Sequence, residues 1–90
     1  MCPLEKNRIA SCEITYFPIQ SENYLEDIHK VLELIQSYPV NYEIGVLSTT
    51  IRGDKDTLFK LIKDIYDKME ADGCYFTISV MMSNICGCQL

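Results

Sequence analysis

Two apolar, strand-like segments of this chain carry polar side chains where a core strand usually carries Val or Ile. The first, Leu47–Asp54, has hydroxyls at Ser48 and Thr49, and the second ends in Ser83 and Asn84. A buried hydroxyl or amide costs free energy unless it is hydrogen-bonded. A small domain that places such groups in its strands therefore either pairs them internally or holds them for a polar ligand.

Catalytic and metal-binding residues are scarce in the sequence. The single histidine, His29, lies among charged residues of a predicted helix, where we expect it to be solvated. Five cysteines, an odd number without a secretion signal, indicate free thiols. Cys86 and Cys88 form the only metal-like spacing, but a structural zinc site needs four ligands. We therefore predict no catalytic residues, no metal site and no cofactor, with a copper or zinc carrier at Cys86 and Cys88 as a minor alternative.

Length and charge restrict the class of protein. Ninety residues make one domain, and a net charge of −5 argues against nucleic acid, which requires a basic surface. No apolar run approaches the roughly 20 residues that span a bilayer. The amino terminus lacks the pattern of a signal peptide. We expect a cytoplasmic protein without membrane insertion.

The first half of the chain predicts a strand followed by a helix. Residues Arg8–Phe17 alternate between apolar and polar, which is typical of a strand with one covered face, and Pro18 is expected to end it. Ser21 suits the cap of a helix that starts at Glu22 and carries apolar residues at helical spacing. Pro39 closes this helix.

The second half predicts two more strands, a helix and a last strand. Val40–Ile44 and Leu47–Arg52 form an antiparallel hairpin because only a short turn joins them. Asp54 caps the second helix, and Gly73 ends it as a glycine at the first position after a helix does. Cys74–Met82 is the last strand.

This order of elements predicts an α+β domain with the ferredoxin-like βαββαβ arrangement. Two helices that each bury one apolar stripe must share one face of the sheet. Right-handed crossovers then give a four-stranded antiparallel sheet with strand order 4-1-3-2. We place the domain at residues 8–85, between a loose segment 1–7 and a tail 86–90.

The other face of the sheet is left open in this arrangement. It is polar, poor in lysine and has some apolar members, and Glu13 and Arg52 lie on its two central strands. Such a face commonly packs on another copy of itself. We therefore predict a homodimer or homotetramer that associates through the open face.

Three segments, in order, resemble the YkoF-related family of thiamine- and hydroxymethylpyrimidine-binding proteins. Tyr16–Ile19 is similar to the family's Leu-Tyr-Pro-Leu, Gly45–Asp54 is the most specific match, and Ile78–Cys86 is similar to its closing Ser-Asn-x-Cys. The chain departs from the family at Glu13, where many relatives have glutamine, and at Gly87, where proline is usual. It also holds one such domain, whereas the protein after which the family is named has two in tandem. We therefore expect a second subunit to take the place of the second domain.

The resemblance implies binding without chemistry, of thiamine or its hydroxymethylpyrimidine precursor, in vitamin uptake or salvage. Hydroxyls and amides can meet the donor and acceptors of an aminopyrimidine, and an aromatic face or a carboxylate can hold the thiazolium cation. The implied ligand-binding residues come from the matching segments and their neighbours: Glu13, Tyr16, Ser48, Thr49, Ser83 and Asn84.

Each of these residues also has a structural interpretation. Thr49 can bond a neighbouring main-chain group, Ser83 and Asn84 can cap the sheet edge, and Tyr16 can be a core aromatic. Glu13 can pair with an arginine at an interface. The competing function is a ligand-free oligomerising or regulatory module, because the fold alone does not decide between the two.

Overall fold

A computed structural model describes residues 9–84. The predicted segment 1–7, the tail 86–90 and Cys2, Cys86 and Cys88 lie outside this range, so the domain limits remain a prediction. The order of elements is β1 (Ile9–Ile19), α1 (Tyr24–Gln36), β2 (Asn41–Ile44), β3 (Thr49–Asp54), α2 (Lys55–Ala71) and β4 (Tyr75–Ser83).

The four strands form one antiparallel sheet in the order β2-β3-β1-β4. This is the predicted 4-1-3-2 order read from the other edge, and it confirms the ferredoxin-like fold. In the register of the two central strands, Ile14 lies opposite Thr49 and Ile9 lies opposite Asp54. On its other side β1 pairs with β4 from Ser11 to Ile19, so β1 continues five residues beyond the end of its pairing with β3.

Both helices pack on one face of the sheet, as the amphipathic patterns predict. Alternate β1 residues are buried under the helices, whereas Glu13 between them is exposed. The buried core consists of Ala10, Cys12, Ile14, Val31, Ile35, Ile51, Leu58, Leu61, Ile65 and Met69. Within residues 9–84, neither helix is long and apolar enough to cross a bilayer.

Two predictions about the first half of the chain are wrong. Pro18 does not end β1, because it lies opposite Phe76 inside the β1–β4 pairing, where a strand tolerates proline if its missing N–H faces a free edge. The cap of α1 is Asn23, whose side chain accepts from the Glu26 N–H, and not Ser21. Ser21 lies two residues before Asn23, and its hydroxyl accepts from the N–H of Asn23.

β3 is shifted along the chain relative to the prediction. It begins at Thr49 instead of Leu47, because Gly45 donates its N–H to the Ser48 carbonyl at 2.8 Å and the residues between them form a loop. It also continues to Asp54, which then caps α2 as predicted by accepting from the N–H groups of Asp56 and Thr57. The predicted helix end is confirmed as well, since Gly73 has a φ of +80°.

Candidate functional site

A cleft opens between the start of β3, the carboxyl-terminal half of β1 and helix α1. Its volume is about 180 Å³. Its walls are mostly aliphatic, with hydroxyls at one side, and within residues 9–84 no charged side chain lines it. The lining residues are Ile14, Thr15, Tyr16, Ile28, Val31, Leu32, Ile35, Ile44, Gly45, Val46, Leu47, Ser48 and Thr49.

The cleft lies where the β2–β3 connection does not pair with β1. The residues that precede Thr49 do not pair with β1, and the Leu47 carbonyl instead accepts from the Thr15 hydroxyl at 3.3 Å. Val46 and Leu47 border the cleft and are 100% and 83% exposed. The sequence analysis placed Leu47 in a strand and missed this exposed apolar loop. Two consecutive apolar residues directly after Gly45 were a signal that could have indicated it.

Besides Thr15, whose hydroxyl donates to the Leu47 carbonyl, Ser48 and Thr49 also contribute hydroxyl side chains to the lining of the cleft. Thr49 lies on the same side of β3 as the fully buried Ile51, which places it under the helices as predicted. Both residues are half-buried, and within the described part of the chain neither hydroxyl forms a hydrogen bond. These hydroxyls are therefore available to a ligand.

Tyr16 is the aromatic residue that lines the cleft within residues 9–84. It stacks on Phe76 with ring centroids 5.4 Å apart, and Phe76 in turn meets the edge of Tyr66 at 5.2 Å. The Tyr16 hydroxyl is closed to solvent and is the one buried side-chain polar atom without a hydrogen-bond partner among the described residues. Burial, followed by the charges of Cys74 and Asp27, raises the pKa of Tyr16 to about 12.

A small polar cluster surrounds Asp27, beyond the Tyr16 ring. The Ser21 hydroxyl donates to one Asp27 carboxylate oxygen at 2.6 Å, and the Cys74 thiol donates to the other at 3.8 Å. Burial, followed by the Asp27 charge, raises the pKa of Cys74 above its ordinary value. The cluster joins the start of α1 to the start of β4, and sequence reasoning missed it because Cys74 is 47 residues from Asp27 in the chain and the members follow no motif.

The structure distributes the predicted site residues over three places. Tyr16, Ser48 and Thr49 share the cleft. Ser83 and Asn84 instead line a separate groove with Ala10, Lys55, Phe59 and Met82, near the start of α2. The expectation of one helix-side polar set containing both Thr49 and Asn84 is therefore not met, because Thr49 and Ser83 lie opposite different β1 residues, Ile14 and Ser11.

Glu13 occupies the third place, on the open face of the sheet, where it is exposed. Within residues 9–84 it forms no ion pair, and neither does Arg52, although the two lie diagonally across the central strands. No three His, Cys, Asp or Glu side chains gather closely enough to hold a metal ion in the described range. Burial raises the pKa of the core thiol Cys12 to about 11, which keeps this thiol protonated and a weak nucleophile.

Comparison with known proteins identifies a relative of similar sequence. A UPF0045 protein from Clostridium perfringens (strain 13 / Type A) is 29% identical over 63 residues, which cover 70% of this chain and 66% of the relative. The chain thus spans slightly less than two thirds of that relative's length.

Solved structures share the fold. A Thermotoga maritima protein described as a candidate for thiamine biosynthesis or salvage superposes with a TM-score of 0.75 at 21% identity, over 83% of this chain and 82% of that one. A domain of unknown function from Bacillus cereus superposes with a TM-score of 0.77 at 20% identity, over 89% and 79%. The model of the YkoF-related family matches residues 9–89. This chain therefore belongs to the YkoF-related family, and its fold is the one that these relatives share.

Proposed function

We propose that this protein binds thiamine or its hydroxymethylpyrimidine precursor without transforming it, in the cleft between β1, β3 and α1. The observation that carries the proposal is the hollow beside two hydroxyls, Ser48 and Thr49, that have no hydrogen-bond partner within residues 9–84. Membership of the YkoF-related family and the thiamine-related description of the Thermotoga maritima protein agree with it. Such binding would serve the uptake or salvage of the vitamin.

The size and lining of the cleft suit one substituted ring. Its volume of about 180 Å³ is slightly larger than the apolar cavity of about 150 Å³ that holds a benzene molecule. Aliphatic walls with a few polar groups hold and orient a heterocycle. The pyrimidine would therefore lie inside, and the thiazolium of thiamine would extend toward Val46 and Leu47 at the mouth.

The same lining supports binding rather than catalysis. Nucleophilic or acid–base chemistry requires a nucleophile with a base within reach, or a pair of titratable groups. Among the described residues that line the cleft there is no histidine, cysteine, lysine or carboxylate. His29 lies on the exposed side of α1, and Ser48 and Thr49 have no base beside them.

A thermal shift titration of the full chain tests the proposal. Thiamine and hydroxymethylpyrimidine should each raise the melting temperature, and a concentration of one hundred times Kd would stabilise the fold by about 2.7 kcal/mol. Thr49→Val should reduce the shift while leaving the melting temperature of the free protein within a few degrees. Thiamine phosphate should give a smaller shift, because no described cationic side chain lines the cleft.

Thr50→Val is the matched control, because it makes the same change on the next residue of β3, which lies on the opposite face. It should leave the ligand-induced shift unchanged. If folded wild-type protein shows no shift with any of the three compounds, the proposal is wrong. If Thr49→Val and Thr50→Val behave alike, Thr49 is not in the site.

We also propose that the protein assembles as a homodimer or homotetramer through the open face of its sheet. The supporting observation is that this face exposes large apolar side chains, among them Tyr75 at 72% and Met81 at 70%. Glu13 and Arg52 lie on the same face, and neither forms an ion pair in the described part of the chain. Glu13 of one copy could therefore pair with Arg52 of a second copy.

These exposed side chains also favour the second candidate function, an oligomerising module without a ligand of its own. The two functions make different predictions about the cleft. An assembly module has no use for half-buried hydroxyls that lack a hydrogen-bond partner, such as those of Ser48 and Thr49. Its melting temperature would depend on protein concentration but would not change when a pyrimidine is added.

A further inference from the structure

The first residue of β3, Thr49, lies opposite Ile14, but β1 continues past Ile14, and this leaves part of the β1 edge bare inside the cleft. The pairing of the two strands ends at Ile14 opposite Thr49, whereas β1 runs on to Ile19 with β4 on its other side only. Had β3 continued in the same register, Leu47 would lie opposite Tyr16. Instead the loop diverges, and the Leu47 carbonyl accepts from the Thr15 side chain.

The direction of the main-chain groups on this edge follows from the hairpin. Gly45 and Ser48 form a hydrogen-bonded pair, through the Gly45 N–H and the Ser48 carbonyl at 2.8 Å. Bonding alternates along antiparallel strands, so Thr49 turns its main-chain groups away from β2 and toward Ile14. Tyr16, two residues further along β1, must direct its own N–H and C=O to the same side, into the space that β3 has left.

Pro18 supports this assignment independently. It has no N–H, and it lies opposite Phe76 in the β1–β4 pairing. A proline fits there only if its nitrogen faces away from β4, which is the direction deduced for Tyr16. Among residues 9–84, no strand or loop supplies a main-chain partner to the N–H and C=O of Tyr16.

The bare edge is too short to accept another strand. A bound strand needs successive N–H and C=O groups, but the next residue that faces the same way, Pro18, offers only a carbonyl. The occupant that fits is therefore a single planar ring, lying in the plane of the sheet with the aliphatic side chains of α1 above it. Such a ring must carry one acceptor and one donor side by side, as a strand residue does.

We infer that the main-chain N–H and C=O of Tyr16 recognise the ring edge formed by the pyrimidine nitrogen and the adjacent exocyclic amino group of the ligand. The ring nitrogen accepts from the Tyr16 N–H, and the amino group donates to the Tyr16 carbonyl. Thr49, which ends the paired part of β3, lies beside this edge. The inference rests on the proposed function and names the main-chain groups that orient the aminopyrimidine ring of its ligand.

Amide hydrogen exchange measured by NMR on the full chain tests the edge directly. In the free protein the Tyr16 amide should exchange faster than those of Thr15 and Phe17, whose main-chain groups face β4 by the same alternation. Saturating hydroxymethylpyrimidine should slow the Tyr16 amide at least tenfold. The same pyrimidine without its amino group should bind roughly tenfold more weakly, since one hydrogen bond is lost.

The outcomes separate this inference from the proposed function. If hydroxymethylpyrimidine binds but the Tyr16 amide is unaffected, or the analogue without the amino group binds equally well, the inference is wrong and the proposed function stands. If the Tyr16 amide is already protected in the free protein, the edge is occupied and the inference also fails. If no pyrimidine binds folded protein, both are wrong.

Discussion

Tyr16 is the residue in which packing, electrostatics and the candidate site meet. Tyr16 lines the cleft and its ring stacks on Phe76, while its hydroxyl is buried near Cys74 and Asp27 with no hydrogen-bond partner among the described residues. A buried hydroxyl without a hydrogen bond lowers stability, because it has lost its water and gained nothing in exchange. The hydroxyl is therefore a weak point of an otherwise apolar core.

Tyr16→Phe should not destabilise the protein, and we expect it to raise the free energy of unfolding by about 1 kcal/mol. The pKa of Tyr16, about 12 in the folded protein against an ordinary 10.0, adds a pH dependence. The folded state holds the phenol proton more tightly, so this contribution to stability is complete below pH 10. It is lost as the pH rises from 10 toward 12. Urea unfolding of both proteins at neutral pH and between pH 9 and 11 measures these effects.

Tyr24→Phe is the control for Tyr16→Phe, because Tyr24 is exposed at the start of α1. It should leave the unfolding free energy within about 0.5 kcal/mol. A loss of more than about 1 kcal/mol in Tyr16→Phe would mean that the hydroxyl has a partner in solution. A wild type and Tyr16→Phe variant with equal sensitivity to alkaline pH would contradict the raised pKa.

At the scale of elements, the junction between β3 and α2 holds the second helix in position without an intervening loop. Asp54 is both the last residue of β3 and the N-cap of α2, and its carboxylate accepts from the N–H groups of Asp56 and Thr57 at 3.1 and 3.3 Å. Its negative charge also lies at the positive end of the helix dipole. α2 provides four of the buried core residues, so its start affects the whole core.

Asp54→Ala should lower the free energy of unfolding by about 1 kcal/mol, since two N–H groups of the first turn lose their acceptor. Asp54→Asn is the matched control, because it retains an acceptor oxygen and should recover most of the loss. Chemical denaturation of the three proteins provides the comparison. Equal stability of the alanine variant and the wild type would contradict the capping role.

At the scale of the whole molecule, the two faces of the sheet differ in what covers them. Helices α1 and α2 cover one face, whereas the other exposes Phe17, Ile19, Tyr75 and Met81 among its polar residues. Exposed apolar patches of this kind commonly mark interaction surfaces. The proposed association through this face would bury them, and it would leave the cleft on the helix side accessible.

Phe17→Lys should dissociate the proposed oligomer, because it places a charge among the exposed apolar side chains that association would bury. Phe59→Lys is a matched control, since Phe59 is exposed to a similar extent, 57% against 48%, but lies on α2. Sedimentation velocity of the three proteins at the same concentration measures the change. A monomeric wild type, or loss of the oligomer in Phe59→Lys only, would exclude association through the open face.

The sequence by itself determined the order of elements, the strand order and the placement of both helices on one face. Residue periodicity carries this information, because one buried stripe per helix and one covered face per strand leave few arrangements open. The sequence also predicted both ends of α2 correctly. Asp54 caps its start, and Gly73 follows its end with a φ of +80°, which few other residues tolerate. Family membership likewise followed from ordered segments of sequence.

Only the tertiary structure decided which polar residues share a site. Thr49 and Asn84 look equivalent in the sequence, but the strand registers place them in separate hollows. The cleft itself depends on β3 beginning two residues later than periodicity indicated, and the bare Tyr16 edge consists of main-chain groups, which every residue except proline carries in full. The type of a residue does not tell whether its main-chain groups are paired. The distance between Thr49 and Asn84 depends on the packing of the whole chain. The unpaired edge at Tyr16 and the separation of the two hollows could therefore not be deduced from residue order alone.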